Sequence, residues 1–355
     1  MIHLGSISSY HWVKIEKLLP ELLKNAEPEI LNEISNIVAF DTADLPDVVF
    51  FLLVKELENI SAGDIGTINN LEHLLVNLLE SRRTTTAVRL LESFVISGVA
   101  LTSLNYFSDE LFDKYPDLYS HILTKWLLSG DSSLCHAVFD LLNHSSDYGI
   151  NLTADSTLLT NELEEMFVVH RAIGWLFTLP IASASFILSV YESAAPATRE
   201  EIEQNLYDPL LLSYPGKLKE FFRSLIDNEI QKPLLERLLK RFHDYSADLN
   251  RLSGLKELSA PRENVDSYWK RFSKDVAEAH EQASKSSLFL QLFNTEKVLY
   301  GNSSIFYVKR GDGNELRQEV NMHSSSHSSE LPTLNVLDPE RLDYKLRFYR
   351  HRSKK

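Results

Sequence analysis

Between residues 68 and 81 the chain reads INNLEHLLVNLLES, with Leu71, Leu74, Leu75, Leu78 and Leu79 at i, i+3, i+4, i+7 and i+8. That spacing lays the five leucines along one face of a 3.6-residue helix and turns Glu72, Asn77 and Glu80 away from it. The same period returns in 13–25, 28–40, 45–60, 84–98, 117–130 and 131–145. The first 195 residues therefore read as a procession of short amphipathic helices. Asp131 with Ser132, and Thr84 to Thr86, stand where N-caps belong. The pattern predicts a mainly α chain.

Links of 2–8 residues between these segments suit antiparallel helix pairs. At roughly 40 residues per pair, the spacing resembles HEAT and armadillo arrays. The expectation is an irregular α-solenoid or, since no signature repeats at fixed period, a helical bundle. Between Arg171 and Glu192 lie 20 uncharged residues, long enough to span a bilayer. Pro180 interrupts them, so they read as two buried helices, the second with proline in its first turn.

Residues 192–209 look like a boundary, with small residues, prolines and a capping-box spacing from Thr198 to Glu201. Helical patterns resume at 215–230 and 232–258. A long amphipathic segment follows at 265–301, with Val265, Trp269, Phe272, Val276 and His280 in one stripe. The period then changes. In 303–324 a GDGN turn separates an apolar run from one in which Leu316, Gln318, Val320 and Met322 share parity, predicting a β-hairpin that leans on helices. Three regions follow: a helical body over 1–195, a second helical region over 196–300, and a hairpin with a basic, aromatic-containing tail over 301–355.

Charge changes this picture. The net is −14, but residues 1–210 hold 11 Lys and Arg against 30 Asp and Glu, while 211–355 hold 25 against 20. The acidic body disfavours bulk nucleic-acid binding and leaves room for a local basic module, or for attraction between the halves. The single cysteine, Cys135, makes no internal disulfide and adjoins His136 on a helix, where the two side chains diverge. It reads as core; Trp126, Trp175 and Trp269 read as core or interface anchors, and His170 and Arg171 as structural. The start lacks a basic segment leading into an apolar one, so no signal peptide is read and a cytoplasmic location is expected.

Phosphate loops, G-x-G-x-x-G and G-x-S-x-G are absent, and HEQAS at 280–284 lacks the second histidine of a zincin helix. In NMHSSSHSSELP (321–332), His323 and His327 share a face in either a helix or a strand. On a strand they stand about 13 Å apart, too far for one metal, so only a looped HSSSH brings the rings together. Glu281, His323 and His327 are the candidate catalytic set of a hydrolase reading, with no metal or cofactor implied. A Glu on a Trp-bearing helix followed about 40 residues later by a His resembles the EH-signature proteins of bacterial phage defence over the last quarter of the chain.

The basic tail is the stronger candidate. Arg341, Lys345, Arg347, Arg350, Arg352, Lys354 and Lys355 interleave with Tyr344, Phe348 and Tyr349, which suits phosphate contacts with aromatic support. The competing expectation is a tail that docks on the acidic half. The leading reading is a non-enzymatic scaffold or adaptor subunit that binds other proteins. A DNA- or RNA-binding component, in bacterial defence, is the alternative.

Overall fold

The chain is mainly α-helical in the computed structural model. This describes residues 9–24, 28–40, 45–58, 60, 65–81, 83–142, 150–253, 265–286, 303–309, 315–321 and 330–353, with the backbone alone for 303–309 and 315–321. In order the helices are α1 (Ser9–Leu23), α2 (Pro28–Phe40), α3 (Asp47–Leu57), α4 (Ile65–Glu80), α5 (Thr84–Ile96) and α6 (Asn105–Lys114). Then come α7 (Pro116–Ser129), α8 (Ser132–Leu142), α9 (Glu162–Leu176), α10 (Pro180–Ser193), α11 (Pro196–Asn205) and α12 (Pro215–Asp227). They are followed by α13 (Lys232–Ser253), α14 (Val265–Ser286), strands β1 (Ser303–Lys309) and β2 (Glu315–Asn321), α15 (Leu334–Leu337) and α16 (Pro339–His351).

Packing divides the chain into residues 1–242 with 330–355, and residues 243–329. This partition differs from boundaries near 195 and 300. The small-residue stretch before Pro196 is only the turn into α11, which packs back on α9 and α10, so the core continues past it. The second unit carries the end of α13, α14 and the two strands, paired antiparallel with Ser303 opposite Asn321 and Lys309 opposite Glu315. On α14 the described members of the apolar stripe, Phe272 and Val276, are exposed.

In the first unit, Leu71, Leu74, Leu75, Leu78 and Leu79 are fully buried on α4, which packs on α2, α5 and α6. The flanking polar residues do not simply face water. Asn77 donates to the Ala39 carbonyl, and Glu72 accepts from the Phe107 N–H at 3.2 Å. Asp131 caps α8, its Oδ1 accepting from Ser133 N at 2.8 Å and Leu134 N at 3.1 Å. Gly130, at φ 76°, closes α7 in the left-handed conformation that lets the chain turn directly into α8. Two expected caps are corrected. Thr84 to Thr86 lie inside α5 after an N-cap at Arg83, and Thr198 is buried in the first turn of α11, which Pro196 starts. Proline's fixed φ suits a first helical residue, so it sets the start ahead of the capping box.

The long uncharged stretch breaks as its proline requires, into the end of α9 and all but the last turn of α10. Residues 165–174 of α9 are all buried, as are most of α10. Among the described residues no helix is long and apolar enough to cross a membrane. Cys135 and Trp126 are core residues; burial pushes the Cys135 thiol up to about 11, and the Trp126 indole N–H donates to Glu92 Oε1 at 3.0 Å.

Between α12 and α13 two non-glycine residues hold positive φ, Glu229 at 62° and Gln231 at 45°. Gln231 is held there by its amide, which donates to the Leu188 carbonyl and Glu192 Oε1, both at 2.9 Å. The Glu229 side chain, among the described residues, makes an exposed ion pair with Lys232. Replacing it, Glu229→Gly, relieves the left-handed penalty at some cost in chain entropy. A net gain of about 0.5 kcal/mol is expected, read as a higher urea midpoint at unchanged slope; a lower midpoint contradicts the account.

Candidate functional site

Helix α16 is built to start and stop where it does. Asp338 caps it by accepting from the Arg341 N–H at 3.4 Å, Pro339 occupies the first turn, and Arg350 and His351 sit at the C-terminal end of the dipole. The segment leading in is strapped to α12. The Glu330 carboxylate accepts from Gly216 N at 2.6 Å and Lys217 N at 2.8 Å, satisfying amides that the helix itself leaves unpaired. Thr333 N donates to the Ser213 carbonyl at 2.8 Å.

From there α16 lays Leu342 and Tyr349, both buried, onto the first unit, packing chiefly on α9. The join is polar. Tyr349 stacks on His170 with ring centroids 4.3 Å apart and planes 13° from parallel, while its hydroxyl donates to Asn205 Oδ1 at 2.6 Å. Arg352 donates to His170 Nδ1 at 2.7 Å. A guanidinium only donates, so Nδ1 accepts and the ring proton sits on Nε2. Burial first, and then the charges of Arg352 and Lys345, hold the His170 pKa down at about 4, and the ring is neutral.

Arg171 reaches the far end of the helix, donating to the carbonyl of Arg350 and, at 3.1 Å, to that of Arg352. Arg350 answers with a donation to the Gly174 carbonyl at 2.5 Å, its guanidinium 5.6 Å from the Trp175 ring. Gly174 permits that approach, for a Cβ there would meet the Arg350 backbone N and Cγ at 3.0 Å. At the other end Arg341 and Lys345 converge on buried Asp208, which lies in a kink (φ −124°, ψ 106°) before a cis bond to Pro209.

The seven tail cations thus separate. Arg341, Lys345, Arg350 and Arg352 are tied to the first unit, Arg347 is exposed and pairs with Asp343 on its own helix, and Lys354 and Lys355 lie outside the described residues. The tail is a docked helix. Of the hydrolase set, Glu281 is exposed and paired with Lys285 at 2.7 Å, while His323 and His327 lie outside the described residues. Among the described residues no group of three His, Cys, Asp or Glu side chains is placed to hold a metal ion. His170, stacked, buried and hydrogen-bonded to a guanidinium, serves in this join as a hydrogen-bond acceptor.

The partners on α9 and near Asp208 escaped sequence reasoning because the contacts span 133 to 182 residues. A signal did exist in His170 and Arg171, polar residues immediately before the 20-residue uncharged stretch.

The ordinary histidine pKa is 6.5 and the folded value is about 4. Between these values the unfolded chain takes up a proton that the folded chain refuses, so stability falls with pH through that window. Between pH 7 and pH 5 the loss assignable to His170 is about 2 kcal/mol. His170→Phe, which keeps a ring against Tyr349, is expected to flatten that part of a urea-unfolding pH series; an unchanged slope contradicts it. Gly174→Ala is expected to cost about 1–3 kcal/mol by forcing α16 outward, with faster amide exchange in 342–352 as its signature. No protein-family model, curated protein or solved structure matches this chain.

Proposed function

We propose that this chain is a helical scaffold subunit that binds other proteins in a larger assembly through the end of its body formed by α1 to α3. The observation that carries this reading is the apolar surface those helices expose among the described residues. Leu22 is 70 % exposed and Phe40 61 %, with Tyr10, Leu18, Val48 and Phe51 also exposed. A stacked helical array ordinarily closes with a polar outer face, and an apolar end is a place for a neighbour.

The packing order supports the array. The substantial contacts within the first unit join helices no more than three places apart in the chain, with the join of α16 to α9 as the exception. That near-neighbour pattern is what an irregular α-solenoid requires and a bundle does not. The strongly acidic composition of 1–210 keeps the remaining surface soluble and selects against anionic partners over most of the body.

Leu22→Glu and Phe40→Glu place charges at exposed positions and should leave the helical circular dichroism unchanged. From cells of origin, the unaltered chain is expected to co-purify a stoichiometric partner that both variants lose. Should the unaltered chain elute alone and monomeric by light scattering, or the variants retain the same partner, the reading is wrong.

A further inference from the structure

Docking uses the inward side of α16 and leaves an outward stripe. Tyr344, Arg347, Phe348 and His351 recur at i, i+3, i+4 and i+7, and all four are exposed, Tyr344 at 72 %. The rings of Tyr344 and Phe348 lie 6.5 Å apart with planes 14° from parallel, and the Arg352 guanidinium sits 5.9 Å from the Phe348 ring. Beside them Phe348, His351, Arg352 and Ser353 line a hollow of about 440 Å³.

The electrostatics are unusual for so acidic a chain. Six cations lie on α16 or against it: Arg171, Arg341, Lys345, Arg347, Arg350 and Arg352. Among the described residues their ion pairs draw on two carboxylates, Asp208 and Asp343. Arg171, Arg350 and Arg352 are instead held by backbone carbonyls and a neutral imidazole, which fix their positions and leave their charge in place. The side chains that tether the helix therefore also concentrate cations along it, set against Asp208, Asp343, the N-cap Asp338 and Glu201, whose charge reaches Tyr349. Glu340 is the other acid on the helix, at its opposite end.

We propose that this outward face of α16 binds single-stranded nucleic acid, with bases stacking on Tyr344 and Phe348 and phosphates held by Arg347 and the field of Arg341, Arg350 and Arg352. A polyanion matches the surplus charge, and π faces presented in parallel one helical turn apart suit unpaired bases. An acidic peptide would use the charge and have no use for the rings. A duplex buries its base faces and offers them nothing. Repulsion from the acidic body confines the strand to this end of the first unit.

The test uses the full-length chain, because deleting α16 would strip the partners from His170, Arg171 and Asp208. Fluorescence anisotropy is measured with labelled oligo(dT) and oligo(U) of about 20 nucleotides, a duplex of equal length, and polyglutamate as competitor. Binding to the single strands is expected at low salt, weakening steeply from about 50 to 200 mM. Tyr344→Ala and Phe348→Ala are expected to weaken it about tenfold each, and Arg347→Gln to flatten the salt slope, all with unchanged circular dichroism. The proposal is overturned by absence of binding at low salt, by equal affinity for the duplex, or by full retention of affinity in both ring variants. Displacement by polyglutamate at matched charge, with the ring variants unaffected, overturns it in favour of an acidic protein partner.

Discussion

Helix α9 carries His170 and Arg171 into the core, both buried. A guanidinium buried without acceptors is among the costliest arrangements a protein can hold, and an imidazole stripped of water is only less so. The acceptors and donors arrive from α16, in the carbonyls of Arg350 and Arg352 and the side chains of Arg352 and Tyr349. Each side completes the other, since the last carbonyls of a helix have no partners within it. The docking of α16, the narrow waist at Gly174 and the neutrality of His170 all follow from that exchange.

This explains which parts of the molecule could be read from residue order alone. The leucine face of α4, the proline that parts α9 from α10 and the Asp131 cap are decided within one or two helical turns, where side-chain period and backbone chemistry speak directly. Helix α6 went unseen because NYFSDELFDK buries only Phe107, Ser108 and Leu111 among acids and amides, too thin a stripe to announce itself. The Thr198 capping box misled because Pro196 starts the helix first. The tail shows the deeper difficulty. Its charge was plain, yet nothing local distinguishes Arg347, which faces solvent, from Arg350, which reaches Gly174 across 176 residues.

A second arrangement concerns where the sequence of the first unit is interrupted. The chain leaves at Phe242, whose ring lies under Lys219 Nζ at 5.3 Å, and returns at Glu330, which binds Gly216 N and Lys217 N. Both attachments fall on the opening turns of α12. The first unit is thus discontinuous in sequence while continuous in packing.

The separation between Arg171 and the carbonyl of Arg350, 179 residues, also has a meaning in time. At about 5–20 residues per second, a ribosome needs roughly 10–40 s to supply the acceptors after it has made the donor. Once Ser193 has been added, α9 and α10 are complete while Arg171 still lacks those acceptors. The nascent body must either hold this site open or be held by something else. A helix that would otherwise be only an appendage is what ends the wait.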